Sequence, residues 1–184
     1  MNPPYQLRGY LVKPLSITNI RNFAEGAREV LQLPDRGIQA DLFLEGLFHF
    51  GITVDVIEER EMPGYPFHSE AYCIPEAATI YLTDETYRKA CQNDPRSIFT
   101  IFHELGHLLL GHSRTMHRGQ KTNNTKPYCD SEWQADQFAA EMIMPFKTIV
   151  LNNLFDPKKI QQRFGVSSQA AQKRYNQLVK PTKK

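Results

Sequence analysis

Apolar residues recur along this chain in two rhythms, and the switches between them outline its elements. Ile17, Ile20, Ala24, Ala27 and Leu31 are spaced three and four apart, the step of one helix face, and Ser16 stands ahead of them as a cap. That pattern predicts a helix to about Leu31, broken by Pro34-Asp35-Arg36-Gly37. A second helix, roughly Ile38–Phe50, is stopped by Gly51. From Ile52 to Ile57 the run is rich in β-branched residues and reads as a strand. Ala71–Ile74 and Ala78–Leu82 read as two more, joined by a turn at Pro75-Glu76. Thr83 can cap a helix to about Cys91, and Asp94 followed by Pro95 opens the next, because proline suits the first helical position. That helix runs to Leu110 and stops at Gly111. Asp130 or Ser131 caps another, to about Met144, ended by Pro145. Two short helices, Pro157–Phe164 and Ser167–Val179, close the chain on either side of Gly165-Val166.

About three strands among many helices make an α+β chain that is mainly helical. With 184 residues it can bury one proper core but not two. The expected division is an N-terminal extension over 1–15, a single domain over 16–180 and a basic tail over 181–184. Within the domain lie the helices over 95–110 and 131–144 and a C-terminal helical element over 157–179. The stretch His112–Cys129 is polar, basic and long, and reads as a loop.

Composition narrows the classes. Hydrophobic residues at 41% and charged residues at 23% belong to a globular protein, not a disordered one. The net charge of +2 sets up no general field for nucleic acid, although basic residues bunch over 114–126 and at Lys180–Lys184. Three cysteines, Cys73, Cys91 and Cys129, are odd in number and form no Cys-x-x-Cys pair. That argues against a disulfide framework and a thiolate zinc site, and for reduced thiols in the cytoplasm. The start of the chain lacks a signal peptide's basic-then-apolar order. The longest apolar stretch, around Ile98–Leu110, is too short for a bilayer and carries two histidines and a glutamate, so no membrane partner is expected.

That stretch holds the chemistry. His103-Glu104-Leu105-Gly106-His107 is an HExxH motif within a predicted helix. Residues four apart share a helix face, so both imidazoles can converge on one ion. Glu104, one step round, can take a proton from a water there without sharing the ligand face. Chance alone gives HExxH in roughly one random chain of this length in two hundred. Gly106, which costs about 1 kcal/mol against alanine in a helix interior, keeps the face open either for an ion or for a close-packed helix.

A catalytic zinc usually takes three protein ligands. A third histidine six residues past His107 is excluded, because that position is Ser113. Glu132 is the better candidate, with Asp136 one helical turn on. Burying two such carboxylates without a cation would be costly. With Glu132 on the ion, Asp136 can accept a hydrogen bond from the outer nitrogen of a ligand histidine. The plain alternative is that Glu132 only complements its helix dipole. Glu141 is a reserve ligand on a different face.

The run from Arg96 to His107 resembles the active-site helix of the ImmA/IrrE metallopeptidases. Glu132 to Pro145, with its closing Met144-Pro145, is similar to that family's second signature, and Phe164-Gly165-Val166-Ser167 with Arg174 and Leu178 to its C-terminal element. The resemblance implies a gluzincin-like fold with zinc or manganese on His103, His107 and Glu132, in a bacterial or phage protein. It also implies cleavage of a helix-turn-helix repressor or antitoxin. The long basic loop and Asp136, where asparagine or histidine is also common, set this chain apart.

The reaction expected is metal-assisted peptide hydrolysis with Glu104 as base, and His112, Tyr128 and Tyr72 as candidate donors to the oxyanion. Two rival readings remain. One is a DNA-binding regulator using Ile160–Leu178 as a helix-turn-helix, with Arg163, Lys173 and Arg174 on phosphates. The other is a scaffold in which the same ligands hold a structural ion.

Overall fold

The computed structural model describes residues 5–58, 70–112 and 126–179. Helix α1 (Ile17–Val30) begins at Ser16, whose hydroxyl accepts from the Asn19 amide. Helix α2 (Ala40–Leu47) tightens into a 3-10 turn over Phe48–Phe50 before Gly51, at φ 74°, ends it. Strands β1 (Thr53–Ile57), β2 (Ala71–Ile74) and β3 (Thr79–Thr83) form one sheet in the order β1-β3-β2. β1 runs parallel to β3 and β2 antiparallel to it. Helix α3 (Asp84–Cys91) is capped by Thr83, and α4 (Pro95–Leu109) by Asp94, which accepts from the Ser97 amide.

Helix α5 (Ser131–Ile143) follows, capped by Asp130, then α6 (Phe146–Leu151), α7 (Pro157–Phe164) and α8 (Ser168–Val179). The small sheet among many helices is as the sequence predicts, and α6 is an element it does not announce. The basic tail and most of the expected loop before Cys129 lie outside the described residues. Among the described residues no helix is long and apolar enough to cross a membrane.

Side chains alternate across a sheet, and the register sorts them here. Ile80 and Leu82 share a face with Cys73 and Ala71, and all four are buried. Tyr72 and Tyr81 stand on the other face, their rings stacked at 4.6 Å. The buried face meets α4, whose Ile101, Phe102 and Leu105 are withdrawn from water. Phe102 stacks on Phe43 of α2 at 4.7 Å. Helix α5 lies in the middle of the molecule, with Ala135, Phe138, Ala139 and Met142 fully covered.

One ion pair fastens the C-terminal helix to this core. Glu141 on α5 and Arg174 on α8 are 2% and 1% exposed. The guanidinium grips both carboxylate oxygens and, through Nε, donates to the Met144 carbonyl at 3.1 Å. Arg21 of α1 adds a contact to Glu141 at 3.0 Å while lying over the Phe146 ring. Glu141 is therefore a structural anchor and not a reserve ligand. Arg174 is equally unavailable to a DNA phosphate.

Removing one partner of a buried pair leaves an uncompensated charge, which costs about 3–5 kcal/mol. Arg174→Ala is expected to lower unfolding free energy by that amount in a urea titration. A loss below about 1 kcal/mol would show that α8 is held by apolar contact alone.

Candidate metal centre

The centre is built where α4 crosses the start of α5. Gly106 makes the crossing close: a Cβ there would stand 3.1 Å from Phe138 Cδ1, 3.2 Å from the Ala135 Cα and 3.3 Å from its carbonyl oxygen. Of the two uses open to this glycine in the sequence, the packing one is what the fold displays. With the backbones so near, His103 and His107 on α4 face Glu132 in the first turn of α5. His103 Nε2 is 3.0 Å from His107 Nε2 and 3.2 Å from Glu132 Oε2, and His107 Nε2 is 3.3 Å from Glu132 Oε1. All three residues are half-buried. Ligands about 2.0–2.2 Å from a tetrahedral ion stand about 3.3–3.6 Å from one another, so the spacing suits a single small cation with little adjustment.

The outer hydrogen bonds say which nitrogens carry protons. Gln134 on α5 is buried and donates its amide to two backbone carbonyls, Lys13 and Tyr128, each at 2.8 Å. Its oxygen must then accept, and the group facing it at 3.0 Å is His112 Nε2. Burial, with His107 beside it, lowers the His112 pKa to about 4, so the ring is neutral and its Nδ1 is an acceptor. The proton between His112 Nδ1 and His107 Nδ1, 3.0 Å apart, consequently belongs to His107. That leaves a lone pair on His107 Nε2, directed at His103 and Glu132. Asp136, whose Oδ1 lies 3.1 Å from His103 Nδ1, holds a proton on that nitrogen and turns Nε2 toward His107 and Glu132.

The electrostatics favour a cation at this point. Burial works against a charged His103, yet its bonds to Asp136 and Glu132 outweigh this and raise its pKa to about 10. Burial would likewise raise Glu132 and Asp136. The bonds of Glu132 to both histidines, and those of Asp136 to His103 and Arg8, hold the two carboxyls below their usual range. Glu104 differs: burial raises its pKa, against the pull of His107 and His103, and its partner is the Cys73 thiol of β2. Burial and the neighbouring Glu104 push that thiol upward, so it stays protonated and donates.

Not every residue singled out in the sequence arrives here. His112 has both nitrogens engaged, by Gln134 and by His107, so it braces the His107 ring from behind. It gets there through Gly111, at φ 67°, which folds the chain back so that the His112 amide reaches the His107 carbonyl at 2.9 Å. Tyr72 stands on the sheet face opposite Cys73 and so turns away from Glu104. Tyr128 lies in the turn before α5 and is 44% exposed. Cys73, Gln134 and Arg8 escaped the sequence reading, because a lone cysteine, glutamine or arginine carries no spacing signal.

Residues 70–176, more than half of the chain, match the IrrE N-terminal-like domain of peptidase family M78. The chain belongs to this family of metallopeptidases. Its helices and three-stranded mixed sheet make the α+β, zincin-like fold of that domain. Among solved structures, a Mycobacterium tuberculosis transcriptional regulator is similar, with a TM-score of 0.56 and 15% identity, over 90% of this chain and 48% of that one. At that identity the likeness is one of fold, and this chain spans about half the length of the structure it matches. The curated proteins contain no match.

Because the atoms facing Gly106 include rigid backbone, Gly106→Ala must push α4 and α5 apart. The gain in helix propensity, about 1 kcal/mol, is smaller than an overpacking cost of about 1–3 kcal/mol. A net loss of about 1 kcal/mol in urea unfolding is expected, and a net gain would mean that the crossing is looser than its geometry indicates.

Proposed function

We propose that this protein is a metal-dependent endopeptidase, with His103, His107 and Glu132 holding the ion and Glu104 as general base. The observation that carries the reading is the mutual approach of two imidazole Nε2 atoms and a carboxylate to 3.0–3.3 Å. The charge that holds Glu132 and His103 together there is positive, and a metal cation can take the place of the His103 proton. Two imidazoles and one carboxylate suit zinc, with manganese as the alternative. Three protein ligands leave a fourth position for water, which supports catalysis over a closed structural site. When bound, the ion supplies Lewis acidity and lowers the pKa of a water at that position.

The rest falls to the chain itself. Glu104 follows His103 on α4, and its raised pKa suits it both to take a proton from the attacking water and to return it to the leaving amine. The Cys73 thiol holds one side of its carboxylate. His112 and Asp136 keep the ligand rings from rotating. With His112 and Tyr72 engaged elsewhere, Tyr128 is the candidate donor to the oxyanion.

The substrate proposed is a protein, and the family resemblance puts a helix-turn-helix repressor first. The similarity to a longer protein described as a transcriptional regulator is compatible with a role in gene control. The expected place of action is the cytoplasm.

Metal content by mass spectrometry is expected to give about one zinc or manganese per wild-type chain, lost in Glu132→Ala. Absence of metal after reconstitution would reject the site. Glu104→Gln is expected to keep the metal and lose about 10²–10⁴-fold in hydrolysis. Fragment mass spectrometry of helix-turn-helix repressors from the same genome reads that loss, and a fully active variant would remove Glu104 from the mechanism.

A further inference from the structure

The first residues of the chain lie outside the part matched by the family, yet they are bonded to the metal centre. Residues 5–13, part of the stretch expected to form an N-terminal extension, run as a strap along the start of α5. The Asp130 carboxylate, fully buried, receives Tyr5 Oη at 2.7 Å, the Arg8 amide at 2.9 Å and the Gly9 amide at 3.1 Å, besides capping α5 through the Glu132 amide at 3.0 Å. The Tyr10 amide donates to Ser131 Oγ at 2.9 Å, and the Ser131 amide returns a bond to the Tyr10 carbonyl at 3.0 Å. Gly9 presses so closely that a Cβ would meet Ser131 Oγ at 2.3 Å and Glu132 Cγ at 2.7 Å. A side chain there would displace the third ligand.

Two relays run from this strap to the two histidines. The Lys13 carbonyl is one of the pair that orients Gln134, and through Gln134 and His112 it sets the proton on His107. On the other side, Arg8 Nη2 donates to Asp136 Oδ2 at 2.9 Å, while Asp136 Oδ1 faces His103 Nδ1. Arg8 thus occupies one carboxylate oxygen and leaves the other for the ligand ring.

From these contacts we infer that the strap is a working part of the metal centre, and that Arg8 is a positioning residue acting on His103 through Asp136. The Arg8 side chain is 51% exposed and Asp136 only 14%. Its positive charge, which opposes a nearby cation, is therefore screened by solvent, and its geometric hold on Asp136 dominates. Outer partners of ligand histidines typically contribute 10–100-fold in metal affinity. The exposed Arg8 belongs at the low end of that range.

The inference rests on the His103–His107–Glu132 reading, and the test separates the two. Zinc affinity is measured by competition with a chromophoric chelator for the full-length wild type, Arg8→Ala, Arg8→Lys, Asp136→Asn and the Arg8→Ala/Asp136→Asn double variant. Thermal melting of each metal-free protein is recorded alongside. Arg8→Ala is expected to weaken zinc about tenfold with metal-free melting unchanged, and Arg8→Lys to recover most of that loss. In the Asp136→Asn background, Arg8→Ala should have no further effect, because a residue acting only through Asp136 becomes silent without it. A wild type that binds no zinc would reject the site itself. A wild type that binds, with Arg8→Ala within about twofold of it, would leave the site standing and overturn the role of Arg8. An undiminished effect in the Asp136→Asn background, or a lowered metal-free melting point, would also overturn it, since either marks general support of the fold.

Discussion

Two imidazoles and a carboxylate on two helices are held within 3.3 Å of one another around a point that favours positive charge, and most of the architecture serves to keep them there. Like-directed donors at that distance do not assemble without support. They are brought together because α4 and α5 are locked at Gly106, and because each imidazole is braced from behind by a partner that fixes its proton. The positive charge the cluster favours is supplied by a proton on His103, and the same outer partners that fix the ring protons hold the three side chains in place around it.

This constraint explains the unusual burden on α5. A central helix is ordinarily apolar on every side, but α5 buries Ser131, Gln134, Gln137 and Glu141 along with its alanines and phenylalanine. Its polar groups divide the work. Those of the first turns face the metal centre and the strap, whereas Glu141, near its end, is closed off by Arg174 and Arg21. The helix thus joins the end that bears Glu132 to a structural end, and neither set of polar groups is left without a partner of matching charge or hydrogen-bonding sense.

Much of this was legible in the sequence where the signal is local. HExxH, the Asp94-Pro95 start, the Thr83 and Ser16 caps and the alternation around Ile80 each depend on residues within one or two turns, and the elements formed where those cues stand. Helix α6 was missed because six residues after a proline, with no capping side chain, leave too short a pattern. The parallel pairing of β1 with β3 and the stacking of Tyr72 on Tyr81 follow from tertiary register, which no local spacing encodes. The same holds for Glu141, a reserve ligand on a different helical face in the sequence reading, whose partner Arg174 lies 33 residues on. Residues 5–13 were least legible of all, because backbone amides bonding to Asp130 leave no mark on side-chain composition.

Asp130 also constrains the order in which the molecule can be made. Its carboxylate closes a contact with the Arg8 amide across 122 positions of sequence, while starting the helix that bears Glu132. Contacts of such separation form late, since the intervening chain must first be held near its final path. During synthesis residues 5–13 are made before their docking site, which follows 122 positions later. A chain grown only to the end of α4 thus carries the complete HExxH helix without the strap's docking site, and the contacts behind His103 and His107 wait for α5 to be made.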